Sequence, residues 1–227
     1  MTTIHPFDLQ ARAALAAHSL TALLDPRRDG LMYFLGEWRT RPPRADHGLW
    51  DYGDGSGRHT DALTLARRMV RAGSPAAQPG PGDAQLEAWM LRCLGEDGLS
   101  WLPAEPWARP WGVEMLMAAW QPEQPAAEIS WAQRATLMGL LSRYLATGDE
   151  RYRTPARRLI ETLLRIALRH PDGLFFPEGY YQPGGWRYRE KGLFAGIEEY
   201  DAVLAGPALR WYEVTGDEAA LALAEGL

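Results

Sequence analysis

Two short motifs recur along this chain at a shared spacing, and that recurrence constrains the fold more than any single segment does. Asp-Gly-Leu occurs at Asp29, Asp97 and Asp172, and Thr-Gly-Asp at Thr147 and Thr215, with about 70 residues between successive copies. A period of this length fits a pair of helices with their connections, stacked so that each unit buries its apolar face on the next. The segment from Ala156 to Arg169 places Leu159, Ile160, Leu163, Leu164, Ile166 and Ala167 on one helical face, opposite Arg157, Arg158, Glu161, Thr162 and Arg165. That pattern predicts an outer helix. The segment from Trp131 to Thr147 is apolar on nearly all sides and predicts a buried inner helix.

One repeat therefore reads as an outer helix, an Asp-Gly stop in which the glycine turns left-handed, a long loop, an inner helix, and a tight Thr-Gly-Asp turn into the next outer helix. Inner helices are expected to begin near Arg58, Ser130 and Ile197, the third weakened or kinked by Gly206-Pro207. No convincing strand run is present. The expected fold is all-α, with helical-hairpin repeats forming an (α/α) toroid or a partial (α/α)6 barrel. By the period, the next Asp-Gly marker is due beyond Leu227, so residues 1–227 are expected to form a single toroid-like domain that is incomplete at its C-terminus. A longer chain, or an oligomer, would cover the open edge.

The charge narrows the partners. Lys+Arg number 24 against 29 Asp+Glu, a net charge of -5, so no excess of positive charge is available to neutralise a nucleic-acid backbone. No stretch approaches the roughly 20 apolar residues that cross a bilayer, and the first residues lack a leader pattern, so no membrane is expected and a cytoplasmic location is the expectation. Cys93 is the single cysteine, set in the apolar stretch Leu86, Trp89, Met90, Leu94, and reads as a buried structural thiol. No metal site and no cofactor are expected.

Tight turns at one end and long loops at the other place any concave site at the long-loop end, where the inner helices begin. Three segments meet there. The first, Trp38 to His59, contains Arg39, Arg41, Asp46, His47, Trp50, Asp51, Tyr52, Asp54 and Arg58; the second contains Trp101, Glu105, Trp107, Arg109, Trp111 and Glu114. The third runs from Phe175 to Glu190, including Tyr180, Tyr181, Trp186 and Arg187, and is followed by Glu198, Glu199 and Asp201. Carboxylates interleaved with 10 Trp and 9 Tyr suit carbohydrate, since flat rings stack on sugar C–H faces while acids supply proton transfer.

Each element also has a structural reading. The Asp-Gly acids are turn residues, Asp61 and Asp201 complement helix dipoles, the tryptophans of the second segment seal a loop, and His47 and His59 make local hydrogen bonds. The run Asp51-Tyr-Gly-Asp-Gly-Ser-Gly is neither a calcium loop, because Ala62 stands where the bidentate Glu belongs, nor a phosphate loop, because the Gly-Lys-Ser/Thr ending is missing. It reads as a glycine-rich turn that lets backbone approach a ligand or the next helix.

Trp50-Asp51-Tyr-Gly-Asp-Gly-Ser-Gly-Arg58-His-Thr-Asp61-Ala-Leu, with Tyr144-Leu-Ala-Thr-Gly-Asp149 and Asp172-Gly-Leu-Phe, resembles the six-hairpin glycosidase superfamily, and within it the beta-L-arabinofuranosidase-like branch. The resemblance covers most of the chain and implies the toroid and a glycoside-cleaving activity. That branch uses a cysteine nucleophile on a cysteine- and glutamate-bound zinc, and this chain supplies no such cluster. The functional expectation is a carbohydrate-active enzyme, a glycoside hydrolase acting on a plant or microbial glycan. Asp51, Asp54, Asp61, Glu198, Glu199 and Asp201 are the candidate acids. Trp50, Arg58, His59, Trp101, Trp107, Trp111, Tyr180, Tyr181, Trp186 and Arg187 are the candidate sugar contacts. The alternatives are a uronate polysaccharide lyase, using Tyr180, Tyr181, His47 and Arg58, and a non-catalytic glycan-binding or scaffold protein.

Overall fold

Short side chains decide how closely the helices pack, and glycine decides it most. The computed structural model describes residues 8–33, 35–47, 53–102, 125–177, 179–188 and 202–227. Its helices are α1 (Leu9–Ala22), α2 (Gly53–Met69), α3 (Pro81–Arg92), α4 (Arg134–Thr147), α5 (Glu150–Ile166), α6 (Ala205–Thr215) and α7 (Glu218–Gly226). α2 packs against α1, α3 and α4; α4 packs on α5 and α6; α7 packs on α5 and α6. α2, α4 and α6 thus contact in series, and each packs on the helix that follows it, α3, α5 or α7.

The closest seam is between α2 and α4. A methyl group at Gly53 would stand 2.6 Å from Cβ of Ala132, one at Gly57 would meet the Ala135 backbone, and one at Gly139 would stand 2.9 Å from the Gly57 carbonyl. The glycine-rich run is therefore the first two turns of α2, and its purpose is approach to the next helix. Glycine in a helix costs about 1 kcal/mol relative to alanine, which the gained backbone contact offsets. α2 begins at Gly53, five residues ahead of the expected start near Arg58, because this close packing overrides the low helix propensity of its glycines.

The outer helix α5 follows the sequence reading. Leu159, Ile160 and Leu163 are fully buried, and Arg157 pairs with Glu161 at 2.9 Å on the outer face. Thr162 differs from the expectation: it is buried and donates to the Asp97 carbonyl at 2.9 Å. The core gathers these residues with Leu137, Leu140 and Leu141 of α4, Met90 of α3, Trp211 of α6 and Leu223 of α7.

The Thr-Gly-Asp marker takes one conformation in both copies. At Gly148 and Gly216 the chain is left-handed, φ 69° and 68°, and each amide donates 2.7 Å back to a tyrosine carbonyl, Tyr144 or Tyr212. Asp149 and Asp217 then cap the next helix by accepting from Arg151 and Ala219 amides. The Asp-Gly marker does not stop a helix, contrary to the expectation. It turns a miniature hairpin a few residues after the helix has ended: β1 (Leu24–Asp25) with β2 (Leu31–Met32), the Leu94–Ser100 bridge, and β5 (Leu168–His170) with β6 (Gly173–Phe175). Gly98, at φ 81°, lets its turn lie directly on α5, where a side chain would strike the Pro155 carbonyl at 2.5 Å.

Two further hairpins, β3 (Leu35–Glu37) with β4 (Arg44–Asp46) and β7 (Gly179–Gln182) with β8 (Gly185–Tyr188), complete the strands among the described residues. The helical expectation holds at the coarse level: the described residues are mostly helical, with small two-stranded antiparallel sheets added. At two to four residues these strands are too short for alternation to register in the sequence. Gly206-Pro207 does not kink a helix either. Pro207 lies in the first turn of α6, where its missing amide has no intrahelical partner to lose.

Candidate functional site

The starts of α2 and α4 converge, and a small ladder of backbone hydrogen bonds closes the ground between them. Leu102 pairs with Ala126, Ala127 pairs with Tyr181 of β7, and the Gln133 side chain locks to both the amide and the carbonyl of Ser100 at 2.7 and 2.9 Å. The polypeptide then enters α4 through a π turn, Ile129–Gln133. Glu128 caps that turn. One oxygen accepts from Ser130 and Trp131 amides at 2.9 and 3.2 Å, the other from Trp131 and Ala132 at 2.9 and 2.7 Å.

Four charges surround Trp131. Asp54, buried in the first turn of α2, forms an ion pair with Arg58 at 2.6 Å, although that oxygen has no well-directed hydrogen bond. Arg58 and Arg134 each hold their guanidinium carbon 5.1 Å from the Trp131 ring centroid. Burial raises the Asp54 carboxyl above its ordinary value, against the lowering charges of Arg58 and Arg134. At Glu128 burial also dominates. Aided by the Asp54 charge and opposed by the backbone amides, it pushes the carboxyl to about 7. Two carboxyl groups that hold their protons unusually tightly thus lie beside two guanidiniums, a combination suited to proton transfer.

The expected site residues divide into five groups. Asp54 and Arg58 stand in this cluster. Asp61 does not. It lies in the third turn of α2, not the first, and is used between helices, where the Ser142 hydroxyl donates to its carboxylate. Burial raises its pKa as well. His59 also faces away, its Nε2 donating to the Leu20 carbonyl at 2.8 Å, which ties α2 to the end of α1, while burial lowers its pKa.

The aromatic candidates come together, but on each other. Trp101 and Tyr181 lie 6.2 Å apart, Tyr181 and Trp186 5.3 Å, and all three pack against the core. The indole N–H groups of Trp101 and Trp186 donate to Asp97 and to the Ile166 carbonyl. Their arrangement matches loop sealing better than an open stacking platform. Tyr180 and Arg187 are register partners in the β7–β8 hairpin. Trp50, Asp51, Trp107, Trp111, Glu198, Glu199 and Asp201 lie outside the described residues.

His47, a candidate for lyase chemistry, is engaged elsewhere. Its Nδ1 donates to the Met32 carbonyl and its Nε2 contacts Asp25, both at 3.2 Å, with Tyr33 stacked at 4.7 Å. Burial opposes ionisation of Asp25, but the Arg27 amide, His47, Tyr33 and the Arg27 side chain together hold its carboxyl far below the usual range. Among the described residues no group of three or more His, Cys, Asp or Glu could hold a metal ion, and no helix is long and apolar enough to cross a membrane. Cys93 is buried, and burial pushes its thiol up to about 12, so it stays protonated.

Sequence reasoning missed Glu128, Trp131 and Arg134 as members of the site. The signal for Glu128 was an acid immediately before an apolar run, but capping is usually assigned to shorter Ser, Thr, Asp or Asn side chains. Arg134 lay within a stretch read only for burial. The chain matches no known family, no curated protein and no solved structure.

Proposed function

We propose that this chain is a carbohydrate-active enzyme that cleaves glycosidic bonds at the convergent starts of α2 and α4, on an arc of an α/α toroid. The observation that carries the reading is the pairing of Asp54 and Glu128, both with raised pKa values, around an arginine-flanked tryptophan at the end where the long loops gather.

Asp54 is the group assigned to proton transfer. It is buried, one of its oxygens is held by Arg58 at 2.6 Å, and its raised pKa suits donation to a leaving glycosidic oxygen. Glu128 has both oxygens occupied by backbone amides, so its part is to fix Trp131 at the start of α4. A second reacting carboxylate would come from Asp51, Glu198, Glu199 or Asp201. The motif resemblance to six-hairpin glycosidases supports the toroid and a glycoside-cleaving activity, not the choice of acid.

The test is incubation of the full chain with plant and microbial polysaccharides and aryl glycosides, following reducing ends and ultraviolet absorbance together. Saturated reducing ends, abolished by Asp54→Asn in a protein that still folds, are expected. An unsaturated product would move the reading to a lyase. Saturable glycan binding without cleavage would leave a binding module.

A further inference from the structure

The β3–β4 hairpin divides its side chains unevenly between its two faces. Gly36 stands opposite Ala45 in the register and Glu37 opposite Arg44, so one face carries two of the smallest residues and the other an acid and a base. Trp38, the first residue after β3, belongs to the small-residue face: a methyl group at Gly36 would stand 3.1 Å from its Nε1. Trp38 is nevertheless 77% exposed, more than any other large apolar side chain among the described residues.

The tip that presents the ring is tied down by its own chain. The Thr40 hydroxyl lies 3.0 Å from the Pro42 carbonyl and 3.2 Å from that of Glu37, and Nη1 of Arg41 donates to the carbonyls of Trp38 and Thr40 at 3.1 and 3.2 Å. Arg39 closes on the Glu37 carboxylate with its amide, Nε and Nη2, at 2.9, 3.1 and 3.2 Å. The backbone under the indole is therefore ordered before any ligand arrives, which lowers the entropy lost on binding.

A single flat ring on a small-residue floor, with polar groups at its rim, fits one class of partner. A sugar ring lays its C–H face on an indole and keeps its hydroxyls for water and polar neighbours. A protein partner would need apolar anchors spread over about 800 Å² on each side. A bilayer surface would need a broad apolar face beside the bases. The described residues of this hairpin offer one indole among charges. The hairpin also lies in the connection that leads into α2, whose first turn holds Asp54.

We propose that Trp38 is a sugar-stacking platform, a binding subsite for one ring of a glycan on the small-residue face of the β3–β4 hairpin. The proposal rests on the carbohydrate reading given above and adds a binding residue to it.

The test is titration of the full chain with six-sugar oligosaccharides of the gluco, xylo, manno and arabino series, read by calorimetry and by tryptophan fluorescence. Vesicles of phosphatidylcholine and phosphatidylserine form a separate arm. Trp38→Ala should weaken oligosaccharide binding about tenfold at an unchanged thermal midpoint, because the side chain it removes is exposed, and Trp38→Tyr should keep most of the affinity by keeping a flat ring. Equal binding by the parent and Trp38→Ala would overturn the subsite while leaving the carbohydrate reading standing. Binding of no oligosaccharide by the parent would remove both. Vesicle binding that Trp38→Ala abolishes, with no change toward the oligosaccharides, would give the hairpin to a bilayer surface and overturn the proposal.

Discussion

The two ends of the helical rows are built on different principles. At the tight-turn end the acids and bases answer one another more fully, although the Nε of Arg143 also lacks an acceptor. Glu87 of α3 accepts from Tyr152 at 2.5 Å and pairs with Arg143 and Arg151 at 2.5 and 3.1 Å. The two Thr-Gly-Asp turns repeat their caps nearly atom for atom. At the long-loop end Asp54 has an oxygen without a directed hydrogen bond, Glu128 is lifted to about 7, and Arg134 has an Nε without an acceptor. One end holds charges where they stabilise the fold. The other end holds Asp54 and Glu128 where burial disfavours their charged forms, at some cost to stability.

The largest effect should come from breaking the stabilising end. Glu87→Ala leaves Arg143, Arg151 and the Tyr152 hydroxyl without their acceptor, and should cost about 2–4 kcal/mol, measured by chemical denaturation. A loss below about 0.5 kcal/mol would erase the contrast between the ends.

The next effect is a pH dependence at the other end. Folded Glu128 holds its proton to about 7, whereas the unfolded chain releases it near the ordinary 4.5. Between those values the native state binds more protons than the unfolded state, so this group's contribution to stability falls as pH rises. Glu128→Gln should flatten that slope, by an amount on the order of 1–3 kcal/mol across the window. A slope unchanged by the substitution would show that Glu128 titrates normally.

Smaller still are the caps. Asp149→Ala and Asp217→Ala should each cost about 1 kcal/mol, nearly equally, since the two turns share one geometry. Unequal losses would mean that the repeat is less regular than its backbone. The smallest stability effect is expected at Asp54→Asn, within about 1 kcal/mol of the parent, because the charge it removes is one that burial already disfavours.

This contrast explains what could be read in advance. The Thr-Gly-Asp turns, the apolar face of α5 and the burial of α4 were legible because each is a local pattern with a fixed spacing. The start of α2 was not, because Gly53 and Gly57 are poor helix formers whose conformation is set by α4. Asp61 and Asp54 looked alike in the sequence, yet Ser142 of α4 takes up one and Arg58 the other. Trp101 and Trp186 pack on the core with their indole N–H groups bonded to Asp97 and the Ile166 carbonyl, while Trp131, within a helix start, meets the arginines, a difference the tryptophans do not show in the sequence. Contacts between repeats decide these cases, and they carry no signature along the chain.

The most direct test of the account is to map where a glycan binds by following backbone and indole N–H signals during titration with a glycan from the cleavage panel. The account predicts shifts at Gly53, Asp54, Glu128 and Ser130–Ala132 and at the Trp131 indole, with Gly148 and Gly216 unmoved. Shifts centred on Gly148 and Gly216, with Trp131 silent, would place the site at the opposite end and contradict it.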